Sequence, residues 1–323
     1  LHPSKPWLYV GQGIPLKQAT TFQVVDLRTM RPLLSVRGLD GRAFRDWGSF
    51  DGSALWHGDS DTLFVGGENG LVYRVRLTTD RPVFSLARYR PQRGTEQGIE
   101  NSLAAHAQFG YFNDNSGNFV CIDLTTLLPI WHHFTGDDSD ASTVIAVEGS
   151  SWVVFTGTQV DKQGDRGNAV LRAFDGRTGR VIWSFQVRCL SVRGARPVNG
   201  GMMATPALGK GNCSDLIFAT FARYRRLNQG LLVALNRRTG KEVWRQVLPS
   251  YAWSSPVDVL DTAGRQYVVQ CTSGGDVMLF DGRTGTMLHH LRLGRNFEAS
   301  PAVFDDMMVV GSRGNLITGI RIR

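Results

Sequence analysis

Four cysteines occur in 323 residues, and no two are adjacent. The seven histidines, at 2, 57, 106, 132, 133, 289 and 290, never stand at metal-ligand spacing with them. Zinc-ribbon and disulfide-stapled frameworks are thereby excluded. Gly-x-Ser-x-Gly, P-loop and dinucleotide fingerprints are missing too, so nothing nominates a nucleophile or a nucleotide site. No apolar run approaches the roughly 20 residues of a membrane helix, and Leu1-His-Pro-Ser-Lys-Pro does not read as a signal peptide. Linkers, low-complexity runs and helical periodicity are absent, which points to a single domain over residues 1–323.

What the chain has instead is a ten-residue phrase, used six times. It reads Val25-Asp-Leu-Arg-Thr-Met-Arg-Pro-Leu-Leu34, then begins again at Val75, Ile122, Phe174, Leu235 and Phe280. The later copies are the sharpest, with Thr178-Gly179 and Trp183, Thr239-Gly240 and Trp244, and Thr284-Gly285. The shared threonines fall at 29, 79, 126, 178, 239 and 284, a period near that of a propeller blade. Each copy closes one apolar strand, crosses a polar turn and opens the next. Asp or Asn at the second position suits bonds to backbone N–H groups within the turn, and Gly tolerates positive φ. The Trp is expected to lean back over its own turn.

Ahead of the phrase lie short hairpins such as Gly67-Glu-Asn-Gly70 and Ser273-Gly-Gly-Asp276, flanked by continuously apolar strands. Earlier still come small-residue strands, Ala204-Thr-Pro-Ala207, Ser254-Ser-Pro-Val257 and Ala299-Ser-Pro-Ala302, suited to the crowded inner edge of a blade. The expectation is an all-β, seven-bladed β-propeller with four-stranded antiparallel blades. The alternative is an eight-bladed ring completed by residues outside the chain. The first blade lacks its inner strand and the last its outer one, so closing strands are expected upstream of Leu1.

The form Asp-x-x-Thr-Gly-x-x-x-Trp, with Ser-Pro inner strands, resembles the pyrroloquinoline-quinone-like (PQQ-like) repeat family. The resemblance spans the chain, sharp over 142–322 and degraded over 1–134, where the turn glycine is missing. The ending, from Glu298-Ala-Ser-Pro to Gly319-Ile320, is similar to non-enzymatic, surface-anchored bacterial members. The family divides into quinone-dependent dehydrogenases and scaffolds of the cell envelope. The dehydrogenases carry an adjacent-cysteine ring disulfide and an axial calcium carboxylate set, and this chain offers no Cys-Cys pair. The resemblance therefore implies no enzyme, cofactor or metal, with a quinone-dependent dehydrogenase as the alternative. Asp137-Asp138-Ser-Asp140 reads as a solvated turn, and Asn113-Asp-Asn-Ser-Gly-Asn118 fits calcium-loop spacing poorly. Cys121 and Cys271 fall within apolar strands as buried thiols. Cys189 and Cys213 bracket an irregular segment and would pair in an oxidising compartment.

Blade topology places the second-to-third-strand hairpins and the inter-blade connections on one face, with the Thr-Gly turns opposite. The long segments all belong to the first face, where a rigid scaffold carries its function. They hold Trp47, Arg88, Arg90, Arg193, Arg196, Arg223, Tyr224 and Arg225, with Trp253 near the channel mouth. Arginine forks and aromatic faces suit anionic partners, as does a formal net charge of +8. The expected function is binding or scaffolding at the cell envelope or outside the cell, as a monomer tethered to the membrane only by a segment outside this chain. The partner would be a protein or an anionic polymer or glycan. Nucleic acid is not expected, since no continuous basic groove is legible.

Overall fold

The computed structural model describes residues 1–13, 21–43, 47–76, 98–195 and 197–322, and the backbone of 85–89. Among them the only helical segments are two short 3₁₀ turns, Gly58–Ser60 and Gly211–Cys213, and none is long and apolar enough to cross a membrane. Everything else regular is antiparallel β-structure, as the alternation of apolar runs and polar turns requires. Contacts group the chain into two compact units, Leu1–Ile145 and Ala146–Arg323.

The first unit contains a three-stranded sheet (Trp7–Gly11, Thr21–Asp26, Arg31–Arg37) and two four-stranded ones. These begin at Leu55–His57 and Ala104–His106 and end at Ser85–Tyr89 and Pro129–Phe134. The second unit follows within the sheet that runs from Val144–Glu148 to Val181–Leu190. Next comes a six-stranded sheet built on Leu216–Ala222, Gly230–Asn236 and Glu242–Leu248, then a four-stranded one from Val257–Leu260 to Met287–Arg292. Three strands, Ala302–Phe304, Met307–Ser312 and Leu316–Arg321, form the last. Within the four-stranded sheets, strands pair in sequence order, so each is a meander.

The repeated phrase is a built turn. Asp175 Oδ1 accepts the Thr178 N–H at 2.9 Å and its hydroxyl at 2.8 Å, and Asn236 and Asp281 do the same for Thr239 and Thr284. The residue after the threonine returns its N–H to the carbonyl of that same Asp or Asn, which forces positive φ there. Gly179, Gly240 and Gly285 take φ of 72°, 68° and 73° without a steric cost. Met30 and Leu127 occupy the same position at 55° and 60°, so the degraded copies keep the geometry and bear the strain. A β-bulge precedes the turn in five copies, at Val24/Val25, Cys121/Ile122, Ala173/Phe174, Ala234/Leu235 and Leu279/Phe280.

The phrase tryptophans pack differently from the sequence expectation. Trp183 and Trp244 are each 8% exposed, but neither lies on its own turn. Trp183 Nε1 donates to Arg237 O at 2.9 Å, and a Cβ at Gly240 would lie 2.6 Å from its ring. Trp244 Nε1 donates to Gly282 O at 3.0 Å, and a Cβ at Gly285 would meet its ring at 2.5 Å. Each indole therefore seats on the turn of the following repeat. The contact is possible because the turn of the next repeat presents a bare Cα to the indole. Phe155 and Phe218 back the two indoles at 5.7 and 5.8 Å between ring centroids.

In the first unit the amino-terminal segment is pinned by Asp61. Its carboxylate accepts Trp56 Nε1 at 3.0 Å and Lys5 Nζ at 3.0 Å, with His2 Nε2 at 3.3 Å. These donors, Trp56 foremost, hold the Asp61 carboxyl down at about 2.

Candidate functional site

The hairpins and the inter-sheet connections do come together. Glu68 N–H bonds Ser49 O, and Asn115 N–H bonds Gly98 O in the first unit. In the second, Ser273 N–H bonds Tyr251 O, Arg313 N–H bonds Asn296 O, and Leu190 N–H bonds Arg223 O. The residues two places before the inner strands are linked by hydroxyls. Ser53 N–H donates to Ser102 Oγ and Ser102 N–H to Ser142 Oγ, while Thr205 N–H donates to Ser255 Oγ and Ser255 N–H to Ser300 Oγ.

The residues expected to form a binding face divide sharply. Trp47 is 40% exposed. Arg225 is exposed, its guanidinium 4.9 Å from the Tyr224 ring, and Arg193 is partly exposed beside Asp161 at 3.7 Å. Arg88 stands opposite Tyr73 in its strand, and Arg90 and Arg196 lie outside the described residues. Arg223 and Tyr224 are corrections, being 6% and 7% exposed. Arg223 adopts φ of 60° and turns inward, donating to Asn199 O at 2.9 Å and Leu227 O at 2.7 Å. Its guanidinium also covers Tyr251 at 4.3 Å, so the positive charge staples a loop. Tyr251 packs at a tilt against Trp253, ring centroids 5.6 Å apart, and Trp253 Nε1 is buried without an acceptor among the described residues.

All four cysteines are free and buried, so the bridge expected between Cys189 and Cys213 is not made. Cys189 lies in the strand Val181–Leu190, opposite Gly167, whereas Cys213 closes the 3₁₀ turn whose Asn212 side chain accepts its thiol. Burial pushes Cys121, Cys189 and Cys271 up to about 12, which keeps these thiols unreactive. The dehydrogenases' ring disulfide cannot form from cysteines placed in separate strands and turns.

The first unit holds a constellation that no sequence motif announces. Oxygens of Asp51, Glu68 and Glu100 all lie within 4.8 Å of one another. Asp51 and Glu100 precede the inner-strand serines Ser53 and Ser102 by two residues, and Asp140 stands likewise before Ser142. In the second unit that position carries Met203, Trp253 and Glu298. Recurrence at this position is the signal that could have exposed the cluster. Ser49 Oγ donates to Glu68 at 2.8 Å, and Asn115 Nδ2 donates to Glu100 at 2.6 Å.

Neighbouring carboxyls act on one another in series, Asp51 on Glu68, Glu68 on Glu100 and Glu100 on Asp140. At such a separation two ionised members would repel by about 3 kcal/mol at an effective dielectric near 20. Desolvation, followed by these like charges, raises Asp51 to about 7 and raises Glu100 and Asp140 as well. The segment Asp137–Asp140 is thus no solvated turn: Asp137, Asp138 and Ser139 are buried. Asp114 is buried too, accepting the Ser116 and Asn118 N–H groups and the Asn118 amide.

Residues 228–323 match a family described as "Outer membrane protein assembly factor BamB". No curated protein matches the chain. Among solved structures, BamB from Moraxella catarrhalis aligns over 98% of this chain and 100% of its own, at 13% identity and a TM-score of 0.50. Sqt1 from Saccharomyces cerevisiae aligns over 99% and 81%, at 11% identity and a TM-score of 0.68. A europium-containing methanol dehydrogenase aligns over 72% of this chain but only 49% of its own length, at 14% identity and a TM-score of 0.54. At these identities the likeness speaks for fold alone, and the fold is a β-propeller. Over residues 228–323 the repeat is thus similar to that family's, and the repeated Thr-Gly turn extends the same pattern along the chain.

Proposed function

We propose that this chain acts, as one repeat-built domain, as a non-catalytic binding or scaffolding propeller of the cell envelope that engages a partner through its connection side. The observation that carries the reading is the hydrogen bonding of hairpins to inter-sheet connections, which gathers the long segments onto a rigid support in each unit. Exposed Trp47 gives aromatic area in the first unit, and exposed Arg193 and Arg225 give positive charge in the second. Arg88, Arg90, Arg196 and Trp253 are proposed as further contact residues, whereas Arg223 and Tyr224 act as buried supports. An acidic protein surface is the favoured partner, and an anionic polymer or glycan shares its chemistry. The family description, an assembly factor, favours a protein partner over a substrate. The lack of adjacent cysteines weighs against the dehydrogenase alternative.

Charge reversal at Arg193, Arg196 and Arg225 tests this reading. Retention on poly-glutamate and on heparin, at several salt concentrations, should fall at least tenfold while the Tm stays nearly constant. Undiminished retention on both would refute the reading. So would turnover of an alcohol with added PQQ and Ca²⁺.

A further inference from the structure

We propose that Asp51, Glu68 and Glu100, with the amide oxygen of Asn115, form a binding site for a hard divalent cation of calcium size. Calcium takes oxygen ligands at about 2.3–2.6 Å, so oxygens sharing one ion can stand at most about 5 Å apart. The three closest carboxylates meet that limit, with an oxygen from each inside 4.8 Å. The donors are all oxygen, which selects a hard cation over zinc or copper.

A second observation, independent of the acidic grouping, points to a missing ligand. Asn115 is 8% exposed, and its Oδ1 is buried with no donor. The amide is planar and its Nδ2 rests on Glu100, so the orphaned oxygen stands beside the same carboxylate. Asp140 Oδ1 is likewise buried without a donor, and Glu100 acts on the Asp140 carboxyl. A buried oxygen without a donor is costly, and a cation satisfies several at once. Among the described residues, the charges that act on Asp51, Glu100 and Asp140 are other carboxylates. The ligands come from two connections and two hairpins, with Asp140 standing behind Glu100. An ion there would tie consecutive repeats of the first unit together, replacing the tryptophan-on-glycine contact of the second.

The full chain, stripped with EDTA, should bind one equivalent of Ca²⁺ in calorimetry, more tightly than Mg²⁺, with a rise in Tm. Asp51→Asn with Glu100→Gln removes two charges that repel each other in the empty site, so this variant should fold while its Ca²⁺ affinity falls at least tenfold. Asn115→Asp should melt lower than the unsubstituted chain in EDTA and gain more from Ca²⁺, an outcome that a purely structural role would not give. Glu298→Gln, at the equivalent position of another repeat, should leave binding unchanged. Absence of heat and of a Tm shift at millimolar Ca²⁺ would overturn the proposal. Equal binding by the double variant, or tighter binding of Mg²⁺ than of Ca²⁺, would do so as well.

Discussion

Removing the Trp244 indole tests how the repeats are joined. The side chain is 8% exposed, packs on Phe218, covers the Cα of Gly285 and donates to Gly282 O. Trp244→Ala loses that burial and strands a carbonyl, so the cost should be about 3–5 kcal/mol. Gly285→Ala is expensive for two separable reasons. A left-handed conformation costs an L-residue about 1–2 kcal/mol, and the new methyl meets the indole at 2.5 Å. The second part disappears once the indole is gone. In a double-mutant cycle read by urea unfolding, Gly285→Ala should therefore cost only about 1–2 kcal/mol in the Trp244→Ala background. The coupling should exceed about 1 kcal/mol. Gly240→Ala supplies the control, because it lies in Trp244's own phrase but touches Trp183. It should couple to Trp183→Ala and be additive with Trp244→Ala. Additivity of Gly285→Ala with Trp244→Ala, or coupling of Gly240→Ala to Trp244→Ala, would refute the docking argument.

Relief of strain should be visible at Met30, which is 71% exposed with φ of 55°: Met30→Gly should raise stability by about 0.5–1 kcal/mol in urea unfolding. Leu127→Gly makes the same conformational change at a buried residue and should lower stability by about 2 kcal/mol or more. Arg223→Ala should cost about 2–4 kcal/mol, through two abandoned carbonyls and lost stacking, whereas exposed Arg225→Ala should stay within about 0.5 kcal/mol by thermal melting. Asp61 has a folded-state pKa of about 2 against 3.8 for the free group, so the unfolded chain binds its proton first as pH falls. Its stabilisation is present above pH 3.8 and fades as pH falls through about 2. Asp61→Asn, which tolerates the left-handed backbone at that site, should melt lower than the parent at pH 6 and converge with it near pH 2. A constant gap in Tm across that range would contradict the assignment.

The turns were legible because their chemistry is local. Asp175, Thr178 and Gly179 lie within five residues, and each has one task that few residue types perform. Strand boundaries followed, since apolar runs between such turns admit little else. The seat of Trp183 was not legible, because its acceptor belongs to a turn 54 residues on and the phrase contains a glycine of its own. Arg223 and Tyr224 looked like surface residues because loop arginines usually are, and only the fold reveals the carbonyls that Arg223 satisfies. The carboxylate cluster escaped for the opposite reason. Asp51 and Glu100 hold equivalent positions in two connections, but Glu68 lies in a hairpin, and the three assemble only when hairpins meet connections.

Because each indole of the second unit seats on the turn that follows it, dependence there runs from the later repeat to the earlier one. A ribosome releasing this chain delivers Trp183 well before the carbonyl of Arg237, and Trp244 before that of Gly282. An apolar ring then waits uncovered for 54 residues of synthesis in the first case and 38 in the second. Each repeat is thus finished by its successor, and a lesion in a late turn is felt upstream. Truncation from the carboxyl end would not merely shorten the array. It would uncap the repeat before the cut, exposing a tryptophan to chaperones and proteases.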